Sequence, residues 1–394
     1  MKGVFVVLLV FVTVSRSFFG RASPSPCFNV ASYGARGNGK TDDSEAFLKA
    51  WKDVCNATQE TATLVIPKLK TFMLQPILFQ GPCKPSTINI ELQGSMIAPK
   101  SVNSWKWRNS DRKWVQFSNI NGLVINGEGQ IDGQGHPWWN SNVSNRPPVL
   151  QFHSCGNLSL NGTTHINSPK NHISIDMCNG VHISNIHIIA PMHSPNTDGI
   201  DIAGSSNVLI KNSTIETGDD CIAINSGSSL INISGIFCGP GHGISIGSLG
   251  QNGDEARVEE VHVRNCTLNG TLNGVRIKTW MGGSGYARKI TFEDIVVVGV
   301  NQPVVINQHY TGIEEKSGGE AVKISDVTYS NVKGTASSVE GVILNCDAKV
   351  GCTHIVLEDI HITRDDGDKT HASCTNSHGI CKHCDPIVPC LLPS

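Results

Sequence analysis

The 394-residue chain has the composition of a folded globular protein. Hydrophobic residues make up 39% and charged residues 16% of it, which excludes disordered, collagen-like and coiled-coil classes. Lys and Arg number 31 against 33 Asp and Glu, a formal net charge of -2. No global basic field therefore predicts a nucleic-acid partner, and no long charge run predicts a membrane surface.

The N-terminus has the pattern of a secretory signal. Lys2 precedes an apolar run over residues 4–14, which is too short to span a bilayer. We expect a signal peptide over residues 1–22 and a single domain over residues 23–394. The 14 cysteines fit an oxidised, secreted protein of the extracellular space or cell wall. Such a glycoprotein would also use the Asn-x-Ser/Thr sequons at Asn56, Asn142 and Asn232.

The first predicted element of the mature chain is an amphipathic helix, which Asp42 and Asp43 can cap. Its apolar face contains Phe47, Leu48, Trp51, Val54 and Cys55. Beyond it the pattern becomes short and β-like, because apolar residues alternate with polar ones and Gly, Asn, Ser and Asp fill the gaps. These bursts lie at residues 173–175, 181–183, 200–202, 222–224, 244–246, 275–277, 304–306 and 342–344.

The spacing of the bursts indicates a repeat. Ile200, Ile222 and Ile244 are evenly spaced along the chain, and neighbouring bursts follow at similar but looser intervals. The period is too short for the blades of a β-propeller, and the Leu framework of a leucine-rich repeat is absent. The sequence predicts an all-β fold, a parallel β-helix or solenoid, with the early helix capping its open first coil.

Stacked coils bring equivalent positions to about 4.8 Å from one another, the spacing of strands in a sheet. Asp198, Asp220 and His242 share the interval of the isoleucines, and Asp219 adjoins the second of them. Strand alternation gives Asp198 and Asp220 the same parity as the inward isoleucines that follow them. The neighbouring glycines permit a bend that resets this parity, so we expect the carboxylates to face outward.

The following coil adds two cations. Ile277 points inward, so Arg276 and Lys278 on either side of it point to the same outer face.

Carboxylates about 5 Å apart interact by roughly 3 kcal/mol, enough to keep one of them protonated in mildly acidic surroundings. An acid beside a base is what glycosidic cleavage requires, and the two cations favour an anionic sugar. These arguments do not choose which Asp is the acid.

Four motifs in this order and spacing resemble the polygalacturonases of glycoside hydrolase family 28, and most closely the plant branch. The resemblance covers nearly the whole mature chain and implies a right-handed parallel β-helix. It also implies inverting, metal-independent hydrolysis of α-1,4 bonds in polygalacturonic acid (pectin), with no cofactor. The motifs are Asn196-Thr-Asp-Gly199, Gly218-Asp-Asp-Cys221, Gly239-Pro-Gly-His-Gly243 and Arg276-Ile-Lys278.

The resemblance also assigns roles. Asp219 would be the general acid, Asp198 and Asp220 would activate water, and His242 would tune the acid. The substrate-binding residues would be Asn196, Arg276, Lys278 and Tyr310. It further implies the disulfides Cys221–Cys238, Cys346–Cys352 and Cys374–Cys390, whereas Thr311 stands where plant relatives often have a cysteine.

Several alternatives stay open at this stage. One is a pectate-lyase-like enzyme that uses calcium, and another is a non-catalytic pectin-binding protein of the cell wall. We expect a monomer without nucleic-acid or membrane partners, and the sequence leaves open whether chain ends or interiors are cut. Cys381 and Cys384 have a zinc-like spacing, but an oxidised segment argues against metal. Trp105, Trp107 and Trp114 could be core residues or line a sugar-stacking rim.

Overall fold

The computed structural model describes residues 25–107, 112–141, 143, 145–310 and 321–393, with only the backbone of residues 392 and 393. The expected signal segment, the Asn142 sequon and Thr311 lie outside the described residues. Among the described helices, none is both long and apolar enough to cross a membrane.

Short strands dominate the described chain, and two α-helices accompany them, α1 (Ser44–Asn56) and α2 (His136–Trp139). Three 3-10 turns cover Val30–Tyr33, Val102–Ser104 and Gln251–Gly253. The strands are β1 (Cys27–Asn29), β2 (Asn38–Asp42), β3 (Thr61–Ile66), β4 (Thr71–Met73), β5 (Ile77–Gln80), β6 (Thr87–Leu92), β7 (Ser95–Ile97), β8 (Val115–Ser118), β9 (Leu123–Asn126), β10 (Gln130–Asp132), β11 (Leu150–His153), β12 (Gly156–Asn161), β13 (Thr164–Ile166), β14 (Ile173–Asp176), β15 (Asn179–Ser184), β16 (His187–Ile189), β17 (Ile200–Ala203), β18 (Ser206–Glu216), β19 (Ile222–Ile224), β20 (Ser228–Cys238), β21 (Ile244–Leu249), β22 (Glu255–Asn269), β23 (Asn273–Thr279), β24 (Ser284–Val300), β25 (Gln302–Asn307), β26 (Lys323–Ala336), β27 (Glu340–Asn345), β28 (Cys352–Arg364), β29 (His371–Thr375), β30 (Ser377–Asp385) and β31 (Leu392–Pro393).

These strands wind into a right-handed parallel β-helix, which confirms the predicted fold. An 11-stranded sheet, here called the narrow sheet, holds β5, β8, β11, β14, β17, β19, β21, β23, β25, β27 and β29. The other strands form a 20-stranded sheet, here called the wide sheet. In its early coils two short strands follow one another end to end, and from β18 onward a single long strand replaces them: β15 pairs with the first part of β18 and β16 with its last part.

The register of the narrow sheet reproduces the predicted repeat. Ile200 pairs with Ile222, and Ile222 pairs with Ile244, so the even spacing of the sequence becomes a ladder in space. The interval along the chain widens on both sides of these coils. More residues separate the paired positions Val115 and Leu150 on one side, and Ile244 and Val275 on the other.

The core is a stack of inward side chains along the helix axis. Ile200, Ile222, Ile244 and Val275 are completely buried, and each contributes on the order of 1.5–3 kcal/mol through removal of apolar surface from water. Helix α1 covers the first coil as predicted: Phe47, Trp51 and Val54 are buried, and the Trp51 ring lies 5.1 Å from that of Phe79.

Two open questions from the sequence are answered by the packing. Trp105 and Trp114 are buried, and Trp107 stacks on Trp105 at 5.1 Å, so the three indoles belong mainly to the core. The expected disulfides are present, and two further pairs join them, which together fit an extracellular protein. The additional pairs are Cys55–Cys83 and Cys381–Cys384, the second of which occupies the zinc-like spacing.

Candidate active site

The three predicted motifs that carry carboxylates and imidazole lie in consecutive turns, each just before a strand of the narrow sheet. Asp198 precedes β17, Asp220 precedes β19 and His242 precedes β21. Backbone hydrogen bonds continue between these turns, since Gly199 N donates to Asp220 O at 2.9 Å. The turns are therefore held in the same stack as the strands.

A close backbone approach explains a glycine of the second motif. A Cβ on Gly218 would lie 2.1 Å from Ser194 O, so no side chain fits there. Asn196 has a φ of 54°, the left-handed region that Asn tolerates better than most residues. The Asp220 side chain contacts Ser245, Arg276 and Lys278 and not the inward isoleucines, but it is buried and not exposed to solvent.

Asp220 forms a buried charge cluster with the two predicted cations. Lys278 Nζ donates to its Oδ2 at 2.7 Å, and Arg276 donates to its Oδ1 at 2.8 Å. Ser245 Oγ also donates to Oδ1, at 2.9 Å. The Asp220 side chain is 1% exposed, and those of Arg276 and Lys278 are 9% and 8% exposed. The two cations therefore bind a carboxylate of the protein itself.

Asp219 is the accessible carboxylate of the pair and contacts the imidazole. Its Oδ1 lies 2.9 Å from His242 Nδ1, and its side chain is 18% exposed. Burial alone would raise its pKa. The hydrogen bond and charge of His242, aided by the Asp220 N–H and the Lys278 charge, outweigh burial and leave the pKa below its usual range.

Asp198 has the opposite tendency. Burial raises its pKa well above the ordinary value, and the negative charges of Asp201, Asp219 and Asp220 raise it further. The carbonyl of Asp198 accepts a hydrogen bond from buried His172, whose Nδ1 lies 3.2 Å away. The pKa values of Asp198 and Asp219 are therefore displaced in opposite directions, and Asp198 holds a proton more firmly than Asp219 does.

The predicted sugar-contacting side chains border the same cluster. Asn196 Nδ2 lies 3.5 Å from Asp219 Oδ2. The ring of Tyr310 is 37% exposed, with Lys278 Nζ 5.1 Å and Arg276 Cζ 5.8 Å from its centroid. All eight residues predicted for the site are therefore brought together. A cavity of about 310 Å³ opens beside His242, between Met192 and His193 on one side and Thr271 and Leu272 on the other.

Sequence reasoning missed two charged residues at this site. Asp201 faces outward, in register with Ala223 and Ser245 of the next two coils. Its Oδ1 is buried and has no hydrogen-bond partner among the described residues. Burial raises the pKa of Asp201 to about 7. Strand alternation in Ile200-Asp-Ile202 could have identified it. Arg146 reaches the site from a loop two coils earlier, and no periodic pattern marks it.

The donor set of this site does not suit a divalent cation. One ligand atom each from Asp219, Asp220 and His242 lie within 4.8 Å of one another. Both oxygens of Asp220 already accept from Arg276 or Lys278, and Nδ1 of His242 already contacts Asp219. A metal would have to displace or repel two buried cations.

A parallel β-helix with clustered carboxylates in consecutive turns defines a class, the β-helical glycosidases. The family model for glycosyl hydrolases family 28 matches residues 55–384, and the chain belongs to that family. It is therefore a glycoside hydrolase.

Relatives and a solved structure agree with this assignment. The chain is 48% identical to an Arabidopsis thaliana protein named "Probable polygalacturonase", over 97% of this chain and 84% of the relative. It is 41% identical to a polygalacturonase of Persea americana, over 90% of this chain and 78% of the relative. Endo-xylogalacturonan hydrolase of Aspergillus tubingensis has a similar structure, with a TM-score of 0.77 and 25% identity over 89% of this chain and 96% of that one.

Proposed function

We propose that this glycosidase is a secreted polygalacturonase that hydrolyses the α-1,4-galacturonosyl bonds of pectin by inversion, without a metal. The observation that carries the proposal is the carboxylate cluster of Asp198, Asp219 and Asp220 beside the cations Arg276 and Lys278. The names of the relatives support the substrate. A calcium-dependent lyase and a non-catalytic binding protein are not favoured, because the family is one of hydrolases.

Asp219 is the general acid in this proposal. Asp220 cannot donate a proton readily because its oxygens accept hydrogen bonds from two cations, whereas Asp219 is accessible. The lowered pKa of Asp219 depends on His242. A substrate that draws His242 to its own hydroxyl or carboxylate groups would remove that contact, and burial would then raise the pKa of Asp219 toward that of an acid.

Asp198 then becomes the base that accepts a proton from the attacking water. Once Asp219 is neutral, one of the negative charges that raise the pKa of Asp198 is lost, so Asp198 ionises more readily. Asp220 contributes to water activation through its fixed charge, which increases the basicity of Asp198. One proton therefore moves from Asp198 to Asp219 as substrate binds.

The cations and their neighbours would bind the sugar. Arg276 and Lys278 use only part of their donors on Asp220 and Ser245, and the remaining donors can bind a galacturonate carboxylate beside Tyr310. Asn196, which borders Asp219, would position the sugar ring at the acid.

Asp219→Asn tests the assignment. We expect release of reducing ends from polygalacturonate to fall by about 10³-fold, because general acid catalysis typically contributes 10²–10⁴-fold. Thermal unfolding would establish that the variant folds. Asp326→Asn is the matched control, since Asp326 is an exposed carboxylate on β26 of the wide sheet.

The same assay separates the alternatives. A hydrolase keeps its activity in chelator and yields products that do not absorb in the ultraviolet, whereas a lyase gives unsaturated products and loses activity. Full activity of Asp219→Asn would contradict the acid assignment. Binding of polygalacturonate by the wild type without cleavage would indicate the non-catalytic alternative.

The proposal includes a secreted, monomeric, single-domain protein of the cell wall, with residues 1–22 removed and residues 23–394 retained. The exposure of Asn56 and Asn232 supports glycosylation at these sequons. N-terminal sequencing, glycosidase-induced mass shifts and sedimentation of the secreted protein test these statements.

A further inference from the structure

Arg146 lies in the loop between α2 and β11, two coils before the turn that contains Asp198. Its guanidinium crosses this distance and contacts the catalytic turn. Nη1 donates to Pro195 O at 2.7 Å, and Nη2 donates to the Oδ1 of Asn196. A flexible loop side chain is thereby fixed to the turn that carries the first motif.

The contact decides the orientation of the Asn196 amide. Oδ1 accepts from the guanidinium, so the donor Nδ2 is turned to the other side, where it lies 3.5 Å from Asp219 Oδ2. The left-handed backbone of Asn196, with a φ of 54°, is held from the same side through the Pro195 carbonyl. Arg146 thus acts on the proposed acid through Asn196.

Arg146 also differs from Arg276 and Lys278 in how its donors are used. Arg276 and Lys278 are almost fully buried and hold Asp220. Arg146 is only partly buried, and its hydrogen bonds to Pro195 and Asn196 use two of the five guanidinium N–H groups. Burial lowers the pKa of Arg146 and the negative charge of Asp219 opposes this, so the guanidinium lies within the field of the catalytic cluster.

We propose that Arg146 is a positioning and substrate-binding residue. It fixes the Asn196 amide toward Asp219. Its remaining donors bind the carboxylate of a galacturonate unit that lies over the coils before the one that carries Asp198. A guanidinium suits this role because it binds carboxylates in a planar, two-pronged geometry. The inference rests on the proposed function, since it assumes that an anionic sugar polymer binds at the catalytic carboxylates.

Steady-state kinetics on polygalacturonate test the inference with Arg146→Gln and Arg146→Lys. For Arg146→Gln we expect kcat/KM to fall about 10- to 100-fold, the size of one lost charge-assisted contact. The loss should appear in both KM and kcat. Arg146→Lys should have a KM close to that of the wild type because it keeps the charge. Its kcat should stay low, because an ammonium lacks the planar pair of donors that contacts Pro195 and Asn196.

Two comparisons make the test specific. On highly methyl-esterified polygalacturonate, where the carboxylates are neutral, the KM effect of Arg146→Gln should shrink. In a double-mutant cycle with Asn196→Ala, the effects on kcat should be strongly non-additive. Arg257→Gln is the control, because Arg257 is an exposed arginine of the wide sheet that pairs with Glu255.

Unchanged KM and kcat in Arg146→Gln, together with an active wild type, would overturn the inference and leave the proposed function intact. Additive effects of Arg146→Gln and Asn196→Ala would overturn the positioning role. An inactive wild type would instead contradict the proposed function. If Arg146→Gln does not fold, Arg146→Lys carries the test, and equal kcat for Arg146→Lys and the wild type would exclude the fork geometry.

Discussion

A single buried carboxylate, Asp220, sets the charge arrangement of the site. Arg276 and Lys278 contact it, so the cations that the sequence indicates for an anionic sugar also neutralise a charge of the protein itself. Breaking a buried pair by removing one partner is costly, because the other charge remains in a poorly solvated place.

Lys278→Met should therefore destabilise the fold as well as weaken substrate binding. We expect the free energy of unfolding to decrease by about 3 kcal/mol, measured by urea denaturation at neutral pH. Lys289→Met is the control, because Lys289 forms an exposed pair with Glu260 and should contribute less than about 1 kcal/mol. Equal effects of the two substitutions would contradict the importance of burial.

At the scale of elements, the turns that precede the strands of the narrow sheet position the catalytic side chains. The glycines of these turns allow neighbouring coils to approach closely. Gly218 packs directly against the backbone of Ser194 in the preceding coil. A side chain here would push the turn that carries Asp219 and Asp220 out of the stack, since backbone atoms cannot move aside as a flexible side chain can.

We expect Gly218→Ala to lower both activity and stability. The added Cβ would lie 2.1 Å from Ser194 O, which should cost about 1–3 kcal/mol of unfolding free energy and at least about tenfold in kcat. Gly156→Ala is the control, because the atom nearest to its Cβ would be a side-chain oxygen, Oδ1 of Asn121 at 2.8 Å, and the backbone oxygen of Asn179 would lie at an ordinary contact distance of 3.9 Å. Normal kcat in Gly218→Ala would show that the turn position is not critical.

Whole-molecule stability depends on buried groups with opposite pH responses. Burial lowers the pKa of His165 to about 3 and of His172 to about 4, so only the unfolded chain protonates them between about pH 6.5 and 4, and stability falls as pH falls. Burial raises the pKa of Asp201 to about 7. The folded chain keeps this proton while the unfolded chain loses it, so stability falls as pH rises from about 4 to 7.

Asp201→Asn should remove one of these opposing contributions. We expect the variant to be more stable than the wild type at pH 7 and to lose this advantage toward pH 4, as measured by urea unfolding at several pH values. Asp326→Asn is the control, because its carboxylate is exposed and the substitution should change the free energy of unfolding by less than about 1 kcal/mol throughout this pH range. A pH-independent difference for Asp201→Asn would contradict the raised pKa.

Most of the fold could be predicted because a solenoid repeats its pattern in the sequence. The isoleucine ladder and the helix α1 follow directly from apolar spacing, and the eight predicted site residues meet because register turns sequence period into proximity. The replacement of two short strands by the single long strand β18 could not be predicted, because long and short strands show the same alternation of apolar and polar residues. Arg146 could not be found because a loop contact across 50 residues has no period.

The coils that join Ile200, Ile222 and Ile244 are the shortest of the narrow sheet and carry the catalytic turns, while longer coils lie on both sides. Lengthening a flanking turn adds material to a wall of the cleft without altering the spacing of the reacting groups. Chimaeras that exchange flanking turns therefore offer a route to new specificities on an unchanged chemical centre.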